Sequence, residues 1–186
     1  MQRRRFLQSA ASALPLALAD PIAHAFAPSV PATPGIHLVA AGQDRFGEIH
    51  GPGYNEIHFK TSTADTPTLF AIEHTKLVPG WGPPLHLHTS QEEWFYVIEG
   101  QVLIQAGDRC VTLKPGDSIM GPRNIPHAFV AVGASPARML ITYSPAGLME
   151  QFFRDTVATG PQEMAAISSR YGVKTVGPPL VPKPRA

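Results

Sequence analysis

Gly80-Trp81-Gly82-Pro83-Pro84-Leu85-His86-Leu87-His88-Thr89-Ser90-Gln91-Glu92-Glu93, running on to Gly100, and Pro115-Gly116-Asp117-Ser118-Ile119-Met120-Gly121-Pro122-Arg123-Asn124-Ile125-Pro126-His127 are the two stretches that decide the reading of this chain. Successive side chains of an extended segment point to opposite faces, so His86 and His88 aim the same way, into one cavity. Glu93 follows a turn, and His127 arrives from a more distant strand. Three neutral imidazoles and a carboxylate form a nitrogen and oxygen donor set that suits a first-row divalent metal and leaves positions open in an octahedral shell. The expected metal ligands are therefore His86, His88, Glu93 and His127, with substrate or dioxygen at the open positions.

These runs resemble the two motifs of the cupin superfamily. The first motif is met by Gly80, His86, His88, Glu93 and Gly100, and Glu93 rather than Glu92 stands at the required distance from Gly100. The second is met by Gly116, Pro122 and His127, with two departures: Asn124 replaces a Gly, and Ala131 stands where the terminal Asn belongs. Asn tolerates positive φ better than most residues, so the first change is modest. The resemblance covers residues 68–145 and implies an all-β fold, an antiparallel jelly-roll barrel with one metal site. Within the superfamily the layout is similar to single-domain bacterial cupins related to quercetin dioxygenases. That likeness implies that Glu93 is both ligand and catalytic base, taking a proton from the substrate.

The other histidines carry no ligand spacing. His37, His50 and His58 lie upstream, and His24 falls in the leader; only His74, on a strand beside Glu73, is expected near the cavity, behind the ligands. If the ligands face inward, strand parity brings Phe95, Val97 and Phe129 to the same side, with Ile141 and Tyr143 as neighbours from the last strand. An apolar, aromatic substrate pocket is expected from these five. Arg123 and Lys114 are the few basic residues near the motifs, which disfavours a phosphosugar substrate.

The chain has 186 residues, 44% hydrophobic and 16% charged, with net charge +1. That balance excludes a nucleic-acid footprint and a polybasic membrane patch. A body of roughly 160 residues buries about 70% of its unfolded surface, so a core needs no disulfide. Cys110 is the sole cysteine and is expected as a small buried hydrophobe.

Arg3-Arg4-Arg5-Phe6-Leu7, an Ala-rich apolar run and Ala23-His24-Ala25 read as an export signal over residues 1–25, resembling a twin-arginine leader. The apolar run is too short for a stable membrane span. A Pro- and Ala-rich linker follows over 26–35, then the barrel over 36–145 and a helical segment with a tail over 146–186. Strands are expected over 36–40, 54–60, 68–77, 85–88, 94–99, 101–105, 110–113, 118–120, 127–132 and 138–144, spaced by Gly, Pro, Asn and Asp as in a sandwich or barrel. Ser144 reads as an N-cap with Pro145 in the first helical position, and Leu148, Met149, Phe152, Phe153 and Val157 as an apolar face packing on the outside of the barrel or on a partner subunit. A second helix is expected over 161–171 with Gly172 as its stop, and Gly177-Pro178-Pro179-Leu180 as an irregular tail.

Three functions meet these expectations. The favoured one is a metal-dependent dioxygenase on an aromatic, flavonol-like or other apolar substrate, with Fe, Mn, Ni or Co in the site and Zn or Cu as alternatives. The others are a non-catalytic ligand- or metal-binding cupin and an isomerase or oxalate-type enzyme, which needs polar groups in the cavity. Expected partners are a small-molecule substrate and dioxygen, with no nucleic acid, no stable membrane anchor and a homodimer left open. The expected location is the periplasm or the extracellular space.

Overall fold

The computed structural model describes residues 35–51, 55–157 and 161–182. The chain divides into Met1–Pro34 and Gly35–Ala186, and all described residues fall in the second unit. The export signal and most of the linker lie outside the described residues.

Period-two alternation builds the sheets. In β4 (Glu92–Glu99) Glu93, Phe95 and Val97 are buried while Glu92, Trp94 and Tyr96 face outward; β9 (Ala137–Ser144) buries Ala137, Met139, Ile141 and Tyr143. These two strands pair antiparallel, with β1 (Asn55–Phe59) and β2 (Phe70–Leu77) on the far side of β9 and β7 (Ser118–Gly121) on the far side of β4. The second sheet runs β10 (Val173–Pro179), β3 (Pro84–His88), β8 (His127–Val132), β5 (Gln101–Ala106) and β6 (Arg109–Leu113). All the pairings are antiparallel, and the two five-stranded sheets form a cupin-like jelly roll. Phe59, Phe70, Ile72, Phe95, Ile104 and Met139 are completely buried in the core.

Two backbone positions hold the motif loops. Asn124 adopts φ +63°, and its N–H donates to the carbonyl of His88 at 2.7 Å, tying the loop before β8 to the strand of the first motif. A Cβ on Gly82 would stand 1.8 Å from the carbonyl oxygen of Phe129, so only Gly lets the entry to β3 pass this close to β8.

Helix α1 (Met149–Asp155) is anchored to the loop after β1 by Glu150. One of its carboxylate oxygens accepts from Thr63 N–H and from the hydroxyls of Ser62 and Thr63 at 2.7–3.0 Å, while Arg154 donates to the other. Helix α2 (Pro161–Arg170) ends in a turn at Gly172, φ +75°, and leads into β10.

The elements depart from expectation in four places. Residues 36–40 form no strand, and Ile36 and Leu38 are 67% and 79% exposed. An alternating apolar pattern needs a neighbouring strand to pair with, and this segment has none among the described residues. Ser144 ends β9 instead of capping a helix; the Ser144–Pro145 peptide is cis and α1 starts only at Met149, after Gly147 turns the chain at φ +53°. Its buried face is Met149, Glu150 and Phe153, leaving Leu148 and Val157 exposed. The supposed tail is strand β10, with Val173 opposite His88 and Thr175 opposite His86. Cys110 is exposed, because β6 is the outer strand of its sheet.

Candidate metal centre and cavity

Three strands deliver the four expected ligands. His86 and His88 share the inner face of β3, His86 lies opposite His127 of β8, and Glu93 comes from β4 in the other sheet, opposite Tyr143 of β9. All four are buried, and one donor atom from each lies within 4.8 Å of the others. Backbone carbonyls orient two of the rings: Nδ1 of His86 donates to Pro84 at 2.8 Å and Nδ1 of His127 to Ile125 at 2.9 Å. With the proton on Nδ1, each Nε2 keeps its lone pair for a ligand. Nε2 of His127 lies 2.7 Å from Glu93 Oε2. Nε2 of His88 lies 3.1 Å from the same oxygen without hydrogen-bond geometry, and both ring nitrogens of His88 are buried without a hydrogen-bond partner. Buried imidazole nitrogens are ordinarily paired, so unpaired ones beside a carboxylate and two further imidazoles fit a divalent ion held by His86, His88, Glu93 and His127.

The charges of the cluster follow from its burial. Burial pulls His86 down to about 4, with the neighbouring His127 adding to the effect. Burial also pulls on His127, but the charge and hydrogen bond of Glu93 outweigh it and leave His127 above the ordinary imidazole value. For Glu93, burial opposes ionisation, yet the charges of His88 and His127 hold it well below the usual carboxylate range. Tyr143 is driven well above an ordinary phenol, first by burial and then by the neighbouring Glu93 carboxylate.

A cavity of about 350 Å³ opens from this cluster. His86, His88 and Glu93 line it, whereas His127 is not part of the wall. Phe129 and Tyr143 line it as expected from the sequence, but Phe95, Val97 and Ile141 do not. Those three share the inward parity and are completely buried, but they pack into the core, Phe95 against the rings of His127 and Phe129. Parity gives the face of a residue and not its depth along the barrel axis.

Much of the remaining wall was not legible in the motifs. Met149, Phe152 and Phe153 line the cavity from α1, which the sequence placed on the outside of the barrel, and Val173 and Thr175 line it from β10. Phe153 packs against Phe59, Phe70 and Tyr143 at centroid distances of 6.4, 6.2 and 5.9 Å. Asn55 and Ile57 of β1 and His74 of β2 complete that side. The helical period of residues 148–157 announced an apolar face; only the tertiary path decides what that face covers. No Lys or Arg lines the cavity among the described residues. Arg123 instead pairs with both oxygens of the outward-facing Glu92, at 2.7 and 2.9 Å.

Residues 73–143 match the Cupin_2 family, a cupin domain. A cupin described as RmlC-like from Shewanella frigidimarina superposes with a TM-score of 0.51 at 22% identity, covering 60% of this chain and 92% of that one. The polyketide cyclase RemF from Streptomyces resistomycificus matches with a TM-score of 0.44 at 26% identity, over 50% of this chain and 66% of that one. An uncharacterised protein of Methanocaldococcus jannaschii is 33% identical over 61 residues, which is 33% of this chain and 49% of that protein; the chain thus spans about half of the relative's length. The family match and the jelly-roll fold support the cupin superfamily, with a buried cluster of three His and one Glu that could hold a metal.

Proposed function

We propose that this cupin is a metal-dependent dioxygenase acting on a flat aromatic or otherwise apolar organic substrate that carries an acidic hydroxyl. One observation carries the reading: a three-His, one-Glu donor set borders a cavity of about 350 Å³ walled by Phe129, Tyr143, Met149, Phe152 and Phe153, with no Lys or Arg among the described residues to meet a phosphate or carboxylate. That lining speaks against the isomerase and oxalate-type alternatives. A divalent ion, when bound, supplies Lewis acidity and open coordination positions.

The chain's own residues do the rest. Glu93, held ionised, accepts a hydrogen bond from the substrate hydroxyl and takes its proton on a carboxylate oxygen. Tyr143, opposite Glu93 across β4 and β9, borders that carboxylate in the cavity wall. The aromatic walls orient a flat substrate and exclude water, which strengthens each polar contact inside. The leader read in the sequence makes the periplasm or the extracellular space the proposed place of action.

Metal analysis of the native protein, then oxygen uptake with flavonols and simpler phenols, tests the proposal. Glu93→Gln reloaded with metal is expected to bind a flavonol yet turn over at least ~10²-fold more slowly, because an amide cannot replace a general base. A wild-type rate in that variant would remove the proton-transfer role. Absence of oxygen consumption by the wild type with every phenol would leave a ligand-binding cupin.

A further inference from the structure

At the β1 and β2 side of this cavity the aromatic lining is interrupted by two polar side chains, Asn55 and His74. Both are buried, at 7% and 3% exposure. Their side chains meet, Asn55 Nδ2 lying 2.6 Å from His74 Nδ1. Burial pulls His74 down to about 4, against the opposing charge of Glu93, so the ring is neutral at neutral pH. With Nδ1 accepting from the Asn55 amide, the ring proton sits on Nε2, which makes no hydrogen bond to another described residue. Asn55 Oδ1 is likewise buried without a partner. A buried amide oxygen left unpaired costs about 1–3 kcal/mol, a cost that a bound ligand can remove. The pair, both of whose residues line the cavity, therefore carries one unpaired acceptor, Oδ1, and one donor, Nε2–H. Turning the amide over exchanges the two roles and leaves the complement of one donor and one acceptor.

The register sets the pair apart from Glu93 along the strand direction. Across β9, His74 stands opposite Met139 and Glu93 opposite Tyr143, four residues apart. Four strand residues span about 13 Å along the strand. A group that donates and accepts at once is a hydroxyl, and a flat aromatic skeleton can carry a second one remote from its reacting end.

We propose that Asn55 and His74 form a specificity subsite that receives a second, remote hydroxyl of an aromatic substrate whose reacting hydroxyl faces Glu93. The inference rests on the dioxygenase reading for the reacting end, but it is tested by binding. The probes are 3,4′-dihydroxyflavone, 3-hydroxyflavone and the 4′-methoxy ether, titrated by fluorescence into metal-loaded protein without oxygen, with oxygen uptake followed in a separate assay.

Wild type is expected to bind the dihydroxyflavone at least ~10-fold more tightly than either analogue, the yield of one or two hydrogen bonds at a buried site. Asn55→Leu and His74→Phe are expected to reduce that preference to within about twofold while 3-hydroxyflavone binds as before, by the same reasoning. Metal content and far-UV circular dichroism establish that each variant is folded. Should His74→Phe not fold, Asn55→Leu, at the edge strand, decides alone. A wild type without the preference, or a folded Asn55→Leu that retains it, overturns the subsite. Preference without oxygen uptake overturns the dioxygenase and leaves the subsite; oxygen uptake without preference does the reverse.

Discussion

Single side chains set the electrostatics of this cavity, and His74 shows how. Its folded value, about 4, lies below the ordinary imidazole value of 6.5 because the charged form is desolvated. Between those values the unfolded chain binds a proton that the native chain refuses, so stability falls as pH is lowered from 6.5 towards 4. His86, also drawn to about 4, contributes in the same direction. His127, raised by Glu93, contributes stability that is complete below 6.5 and lost only as pH rises through its folded value, so it does not offset the loss. The denaturant midpoint of the metal-free protein is accordingly expected to drop between pH 6.5 and 4, and to drop less in His74→Phe. Equal drops in the two proteins would show that the ring is not held neutral by burial. The clustering of His86, His88, Glu93 and His127 was legible from the sequence at this scale, because strand alternation and motif spacing are local properties. Asn55 was not: no motif marks it, and its contact with His74 arises only from the pairing of β1 with β2.

Helix α1 and strand β10 wall the cavity beside the cluster of three His and one Glu. Each was partly visible in the chain, the helix through its apolar period and the strand not at all, because Gly177-Pro178-Pro179 reads as a breaker. Pro is tolerated at the edge of a sheet, where its missing N–H leaves no ladder bond unmade, and β10 is the edge strand beside β3. Phe153 is the side chain through which α1 closes the mouth of the barrel, in contact with three rings of the first sheet. Phe153→Ala is expected to cost about 3 kcal/mol in urea unfolding, the lower part of the range for a buried aromatic because the ring also borders the cavity. Metal content should be unchanged, since the ligands lie on β3, β4 and β8. A variant as stable as wild type would place the helix outside the cooperative fold.

Taken whole, the molecule has a core that does not depend on the site. Phe59, Phe70, Ile72, Ile104 and Met139 are completely buried between the sheets, and none is a ligand. Chelation is therefore expected to leave the far-UV circular dichroism of the protein intact and to lower its thermal midpoint only by the mass-action share of the lost ion. His86→Ala should behave likewise, folded but unable to retain metal. Collapse of the fold in either experiment would make the ion structural.

The sequence by itself determined the strand alternation, the turn residues and the donor set, since each depends on neighbours within a few positions. It also carried the positive-φ turn, because Asn124 is among the residues that tolerate that conformation. Tertiary structure alone decided depth and enclosure: Phe95, Val97 and Ile141 share the parity of Phe129 and Tyr143 but lie in the core, and Phe152 and Phe153 leave the expected outer face to wall the cavity. The physical reason is range. Periodicity records which way a side chain points along its own strand or helix, whereas the wall of a cavity is assembled from segments as far apart as Asn55 and Thr175, whose meeting is written in no local pattern.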